Sequence, residues 1–183
     1  YSGSQKHILS SMFGDAKRPL YQSTQFLGLE PITSSDYTLF INNHFKQEGL
    51  KISEDEIEFI IAWTYCHTFY IQYFCNRLFD MRKDDPKSSL YLAVEKIFQE
   101  NEAVFSNYRT LLTLQQSQLL TALAKEGFVN QPTSKDFLSK HKLTSSLVQR
   151  ALPSLIQKEF VTKEKDGYRV YDVFFGRWLA AKF

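Results

Sequence analysis

The stretch SSLVQRAL, residues 145–152, decides the fold of this chain, because it predicts a helix placed directly after a short turn. The turn, HKLT at residues 141–144, follows a second predicted helix that starts after Pro132-Thr133-Ser134. Before that, an apolar helix over Leu111–Lys125 ends at Gly127, a residue type common just beyond helix ends. Three helices joined in this way predict a helix-turn-helix.

A predicted hairpin follows the third helix. Two runs of strand-forming residues flank Asp166-Gly167, and this dipeptide favours a two-residue hairpin turn. A helix-turn-helix followed by a hairpin is typical of a winged helix, which reads DNA in many proteins and contacts partner proteins in others. The sequence therefore predicts a winged helix-turn-helix at its C-terminal end.

The predicted third helix and its neighbours offer polar side chains suited to DNA. Gln and Arg side chains pair bidentately with adenine and guanine edges, and lysines in the turn and wing suit phosphates. Three acids, Glu159, Glu164 and Asp166, interrupt this basic patch, and Pro153 is expected to bend the helix. The candidate DNA-binding residues are Lys140, Lys142, Ser145, Ser146, Gln149, Arg150, Lys163, Lys165 and Arg169.

The region before the winged helix predicts a bundle of about four helices. Ser34-Ser35-Asp36 begins one helix, with Tyr37, Phe40, Ile41 and Phe45 expected on its buried face. Ser53 and Glu56 form a capping box for the next, and an aromatic helix over Phe69–Asp80 and a longer helix capped by Ser88 or Ser89 follow. Further upstream, the pattern predicts a helix over residues 5–13 and a strand over residues 24–29. The fold class is therefore mainly α (α+β).

Composition limits the domain number, the mode of DNA binding and the cellular location expected for the chain. With 183 residues and a net charge of +2, it is large enough for one or two domains, and any DNA binding must come from a local patch. Cys66 and Cys75 are expected on different faces of one helix, too far apart for a disulfide, and no apolar run approaches a membrane span. A cytoplasmic protein with no membrane partner is the natural expectation.

Catalytic and metal-binding motifs are missing from the sequence. None of the seven glycines precedes a lysine, so the chain has no G-x-x-x-x-G-K-[ST] phosphate loop. Its four histidines and two cysteines are not spaced as zinc ligands, and no set of catalytic side chains is evident. We expect no catalytic residues and no metal site in this polypeptide on its own.

Several segments, in this order, resemble the AAA+-like P-loop ATPases of the STAND and archaeal type. The first five residues, YSGSQ, resemble the end of the sensor-1 strand and the start of the following helix. RPLY (18–21) and LGLEPI (27–32) resemble the R-P-F-Y element and the final core strand, and CHTFYIQ (66–72) resembles the G-H-P-Y-Y-L-Q turn of the helical lid. SSLVQRAL (145–152) and YDVFFGRWL (171–179) resemble the winged helix and closing helix of the family.

This resemblance implies a domain plan and an upstream partner. Residues 1–31 would end the ATPase core, 32–108 would form the helical lid, and 109–183 the winged helix. The nucleotide-binding loop and magnesium-binding acid would lie before Tyr1, so ATP and Mg are implied for the parent protein and not for this segment alone. A start without methionine agrees with a piece of a longer protein.

The resemblance also implies three residues near the nucleotide. Ser4 would lie beside the γ-phosphate, although it and Ser2 could equally cap the next helix. Arg18 would reach a neighbour's phosphate, and the alternative is a surface arginine before a proline turn. His67 would contact nucleotide from the lid, but Cys66 and Thr68 replace the family's glycine and proline there, and a capping or partly buried histidine is the alternative.

Two functions remain open from the sequence. The first is the non-catalytic regulatory end of an ATPase, coupling nucleotide state to a winged helix that binds DNA or a partner protein. The second is a freestanding winged-helix DNA-binding transcriptional regulator with a helical dimerisation region.

Overall fold

The computed structural model describes residues 32–183 of the chain. This part contains eight helices and one two-stranded hairpin, and none of its helices is long and apolar enough to cross a bilayer. The helix expected over residues 5–13, the strand over 24–29, Ser4 and Arg18 lie outside it. In chain order the elements are α1 (Ser34–Gln47), α2 (Glu54–Trp63), α3 (Thr68–Asp84), α4 (Leu90–Thr110), α5 (Leu114–Glu126), α6 (Lys135–His141), α7 (Ser145–Gln157), β1 (Val161–Glu164), β2 (Gly167–Val170) and α8 (Val173–Lys182).

Helices α1 to α4 form the helical region, residues 32–110. The predicted capping box at the start of α2 is confirmed, with Ser53 and Glu56 each bonded to the other's backbone N–H. The expected cap of α1 is shifted by one residue, since Thr33 accepts the bond from the Asp36 N–H. The inward face of α1 is also narrower than expected, because Phe40 is 51% exposed while its neighbour Ile41 is buried.

The link between α2 and α3 carries unusual backbone geometry. Tyr65 and Cys66 have φ of 54° and 55°, in the left-handed region that residues with a Cβ seldom occupy. Cys66 therefore lies in a turn, and the expectation that both cysteines share one helix is wrong. Cys75 lies in α3, where burial raises the pKa of its thiol to about 12.

Helices α5 to α8 and the hairpin form the winged region, residues 113–183. A second capping box, made by Thr113 and Gln116, begins α5, and Gly127 ends it with a φ of 74°. The turn before α7 is made by Lys142, which adopts φ 53° and caps α6. Helix α7 extends beyond Leu152, through Pro153, and ends at Gln157.

The hairpin is present, but its turn lies one residue earlier than expected. Glu164 pairs with Gly167, so Lys165 and Asp166 form the turn and Gly167 already belongs to β2. A Cβ at Gly167 would lie 2.6 Å from the Val129 carbonyl oxygen. The glycine is therefore required by the approach of residues 128–130, where Val129 and Tyr168 exchange two backbone hydrogen bonds of 2.9 Å.

Helix α8 joins the two regions. Its Phe174 packs on Trp63 and Tyr70 of the helical region, with ring centroids 5.6 and 4.8 Å apart. Trp178 is 2% exposed, packs on Phe105 and donates from Nε1 to Glu102. The fold is thus mainly helical with a small β component, as predicted, and ends in a winged helix.

Candidate nucleic-acid interface

Helix α7 presents a polar face to solvent and an apolar face to the core. Ser146, Gln149 and Arg150 are exposed and Ser145 is half-buried, whereas Val148, Ala151 and Leu155 are buried. The Thr144 hydroxyl accepts a bond from the Leu147 N–H at 3.3 Å and so fixes the start of the helix. The side chains expected to face outward are therefore accessible, with Ser145 partly withdrawn.

The two lysines of the turn differ in their surroundings. Lys140 Nζ lies 2.8 Å from Glu126 Oε1, and the same oxygen lies 2.6 Å from His141 Nε2. The hydrogen bonds from Lys140 and His141 lower the pKa of Glu126 below its ordinary value. Lys142 is exposed and forms no ion pair with any residue in 32–183. Lys142 is thus better placed than Lys140 to bind a phosphate.

The basic side chains of the wing, residues 161–170, also differ in their surroundings. Lys163 and Lys165 are exposed and have no ion-pair partner among the described residues. Arg169 instead contacts Glu164 through Nε and Nη2, at 2.7 and 3.0 Å. Its guanidinium also lies over the rings of Tyr65 and Phe128. Arg169 is thus occupied by contacts within the protein, and Lys163 and Lys165 are the wing cations without an ion-pair partner among residues 32–183.

The positive charge of this chain is concentrated in its C-terminal part, which the small net charge of the whole chain does not reveal. Residues 109–183 carry 12 Lys and Arg against six Asp and Glu, a net charge of +6. Residues 1–108 carry 10 against 14, a net charge of −4. Charge counted over the predicted winged helix alone reveals this basic end from the sequence itself.

His67 follows directly on the two left-handed residues of the α2–α3 turn. It occupies the cap position of α3 without a side-chain capping bond, and it is exposed. Its ring centroid lies 4.9 Å from that of Tyr70. His67 is therefore the N-cap residue of α3 by position, makes no side-chain capping bond and exposes its imidazole, and its contact with nucleotide stays a prediction.

Tyr65, two residues before His67, connects this turn to the winged region. Two guanidinium groups contact its ring, that of Arg169 at 4.7 Å and that of Arg177 at 4.5 Å from the ring centroid. Arg177 Nε donates to the Trp63 carbonyl at 2.9 Å, and burial lowers the pKa of this guanidinium. The Tyr65 hydroxyl fills the space beside Gly127, 2.7 Å from where a Cβ would be.

Within residues 32–183, no group of three or more His, Cys, Asp or Glu side chains is arranged to hold a metal ion. A cavity of about 600 Å³ lies between the end of α4 and the start of α8. It is lined by Tyr108, Phe160, Phe175 and Lys158 among others, and does not include the candidate residues of α7 or the wing.

Comparison with known proteins identifies the winged region. Residues 103–181 match the model of a family described as a probable winged helix domain. The chain is also similar to the Walker-type ATPase PABY2304 of Pyrococcus abyssi, with 18% identity and a TM-score of 0.62. That match covers 97% of this chain and 51% of the archaeal protein, so the chain spans about half its length. No curated protein matches. The C-terminal part of this chain is a winged helix domain, and the chain as a whole shares its fold with part of an archaeal Walker-type ATPase.

Proposed function

We propose that the chain is the non-catalytic C-terminal region of a STAND-like AAA+ ATPase, in which nucleotide state is coupled to a winged helix that binds double-stranded DNA. The similarity of fold to a Walker-type ATPase along nearly the whole chain supports the first half of this proposal. The domain limits at residues 31/32 and 108/109 stay predictions.

The concentration of positive charge in the winged region is the observation that carries the DNA proposal. A duplex is a dense polyanion, and proteins gain affinity for it by releasing counterions from its phosphates. Residues 109–183, which comprise the winged region and the end of α4 before it, have a net charge of +6, and Lys142, Lys163 and Lys165 remain exposed there without acidic partners in the described part of the chain. A surface built for a typical protein partner would have fewer lysines at its centre.

The outward face of α7 supplies the residues that would read sequence. Gln149 and Arg150 are exposed one after the other, and each side chain can form two hydrogen bonds to one base edge. Arg150 Nε donates to the Ser146 carbonyl at 3.2 Å, which holds the side chain along the helix and leaves its terminal nitrogens for a ligand. Ser145 and Ser146 at the start of α7 are suited to phosphates or bases.

In the ATPase half of the proposal, ATP and Mg bind upstream of Tyr1 and His67 reaches the nucleotide from the lid. The exposed imidazole of His67 is compatible with this role. Ser4 and Arg18 remain the proposed sensor and finger residues, and they lie outside the described part of the chain. The chain itself would supply no nucleophile and would change position in response to the nucleotide.

Fluorescence anisotropy of the 183-residue chain with duplex DNA tests the winged helix. Neutralising about four phosphates predicts a slope of about −3.6 for log affinity against log salt. Lys142→Ala should make that slope shallower by about 1, and Arg150→Ala should weaken binding roughly tenfold. Lys46→Ala, which removes an exposed charge from α1, is the matched control and should leave the affinity unchanged.

Two results would contradict the DNA proposal. The first is no binding at low salt, which would direct the search to a partner protein. The second is an equal loss of affinity in Lys46→Ala and Lys142→Ala, which would mean that only net charge matters.

The coding sequence before Tyr1 tests the ATPase half. A phosphate-binding loop and an acidic strand end there are expected. An initiation codon directly before Tyr1 would favour the freestanding winged-helix regulator instead.

A further inference from the structure

We propose that Tyr65 is a positioning residue that holds the His67 turn and the wing as one rigid unit. This inference rests on the proposed function, because it names the route by which nucleotide at His67 would reach the DNA-binding hairpin. Tyr65 is two residues from His67, and its ring contacts Arg169 of β2. The structural coupling between these two places does not itself require either ligand.

The first step of the route is the attachment of the ring to the wing. The Arg169 guanidinium lies 4.7 Å from the centre of the Tyr65 ring, a distance at which a cation is attracted to an aromatic face. The same guanidinium is held by Glu164 of β1, with contacts of 2.7 and 3.0 Å. One arginine therefore ties both strands of the hairpin to Tyr65.

The second step is the attachment of the ring to the core. Arg177 of α8 lies on the ring 4.5 Å from its centre and donates to the carbonyls of Trp63 and Ala62, at 2.9 and 3.4 Å. At Gly127, a Cβ would lie only 2.7 Å from the Tyr65 hydroxyl, so the glycine leaves the space that the phenol fills. The half-buried ring therefore contacts α8, β2 and the residue that ends α5, so a shift of the ring would disturb all three contacts.

The third step is the stiffness of the turn itself. Tyr65 and Cys66 both adopt left-handed φ values although neither is glycine, a conformation that persists only where the surroundings enforce it. The Cys66 N–H donates to the Ile61 carbonyl at 2.8 Å, which closes the turn immediately before His67. A displacement of His67 would therefore be passed to the Tyr65 ring and from there to the wing.

Amide hydrogen exchange of the 183-residue chain, followed by NMR, tests this coupling in both directions. Coupling between two sites is reciprocal, so loosening the wing must loosen the turn. Arg169→Leu should accelerate exchange of the Cys66 amide roughly tenfold. Lys163→Leu makes the same change of charge on the same hairpin at an exposed side chain, and should leave the Cys66 amide unchanged.

Two substitutions at Tyr65 separate its ring from its backbone. Asparagine tolerates left-handed φ, so Tyr65→Asn removes the ring without adding backbone strain. It should accelerate exchange of the Val129 and Tyr168 amides, which close the wing onto the preceding segment. Tyr65→Phe keeps the ring and its contacts with Arg169 and Arg177, and should show wild-type exchange at both places.

The amides of Leu119, Leu120 and Leu123 in α5 report on the whole fold. If Arg169→Leu accelerates them as much as the Cys66 amide, Tyr65 only contributes to global stability and the proposal is wrong. It is also wrong if Arg169→Leu and Lys163→Leu give the same Cys66 exchange. Because no DNA or nucleotide is added, failure of the DNA-binding test leaves this result unaffected.

Discussion

The helical and winged regions of this molecule are built from opposite charges and stabilised in different ways. Residues 32–108 carry seven Lys and Arg against 12 Asp and Glu, whereas residues 109–183 carry 12 against six. Both regions bury aromatic and aliphatic side chains, but the helical region also buries a charged one, Arg82, and within residues 113–183 no charged side chain is buried. Helix α8 of the winged region packs on the helical region, so substitutions there test what holds the fold, whereas those on the outer face of α7 test what selects a ligand.

The largest expected effect tests whether the two regions are stable independently. Trp178 is 2% exposed and lies against α4 of the helical region. Trp178→Ala should lower the free energy of unfolding by about 4 kcal/mol, since it removes a large buried side chain. Urea unfolding followed by circular dichroism should still show one transition. Two separate transitions in the wild-type chain would mean that the regions fold independently.

A second substitution tests the buried charge of the helical region. Arg82 donates to the carbonyls of Ser88 and Lys51, at 3.1 and 2.6 Å, and pairs with Glu56. Arg82→Met should destabilise the chain by about 3 kcal/mol, because it leaves the carboxylate and both carbonyls without their donor. Chemical denaturation measures this, and a change below that of an exposed lysine variant such as Lys87→Met would contradict it.

The same ion pair gives a dependence on pH. Burial alone would raise the pKa of Glu56, but the hydrogen bonds from Arg82 and the Ser53 backbone lower it below its ordinary value. The folded state therefore binds the proton less tightly than the unfolded state, so this stabilisation is present at neutral pH and lost as pH falls through the lowered pKa. Glu56→Gln should be less stable than wild type at pH 7, and the difference should shrink in acid. A constant difference across that range would contradict this assignment.

One glycine in each region tests why the backbone needs glycine there. A Cβ at Gly167 would collide with the Val129 carbonyl oxygen, whereas one at Gly49, with φ 71°, would meet nothing within 4 Å. Gly167→Ala should cost about 2 kcal/mol through the clash, and Gly49→Ala about 1 kcal/mol through φ alone. Thermal unfolding measures the loss of stability in each variant. A larger loss for Gly49→Ala than for Gly167→Ala would mean that residues 128–130 can move to accommodate the added Cβ.

The smallest effect is expected at Phe69. It is 59% exposed, although it lies in the first turn of α3, next to the buried Tyr70. Phe69→Ala should change stability by less than about 0.5 kcal/mol. Phe74→Ala, on the buried face of the same helix, is the matched comparison and should cost about 3 kcal/mol. Equal effects would show that Phe69 is covered by another part of the protein.

The sequence predicted the elements whose signals are local. The capping box of Ser53 and Glu56 needs only a spacing of three residues, and the hairpin needs only its turn dipeptide. The turn was misplaced by one position because Gly167 serves a contact with Val129, which is 38 residues earlier in the chain. The left-handed pair at Tyr65 and Cys66 could not be predicted, because neither residue is glycine and the arginines that hold Tyr65 are over 100 residues away.

Among the candidate DNA-binding residues, too, the sequence predicted what local structure determines and missed what tertiary contacts determine. Exposure of Ser146, Gln149 and Arg150 follows from helical periodicity, so the sequence located them. Sequestration of Lys140 by Glu126 and of Arg169 by Glu164 and Tyr65 depends on tertiary contacts, so residue type alone counted both as free cations. Their roles, and that of His67, stay predictions until binding is measured.

Within residues 32–183, the unequal distribution of charge also creates an electric dipole, from the negative residues 32–108 to the positive residues 109–183. In the field of any polyanion such a dipole experiences a torque, which turns the winged end forward before contact. Fewer encounters are then lost to wrong orientations, so salt should slow association itself as well as weaken the bound state.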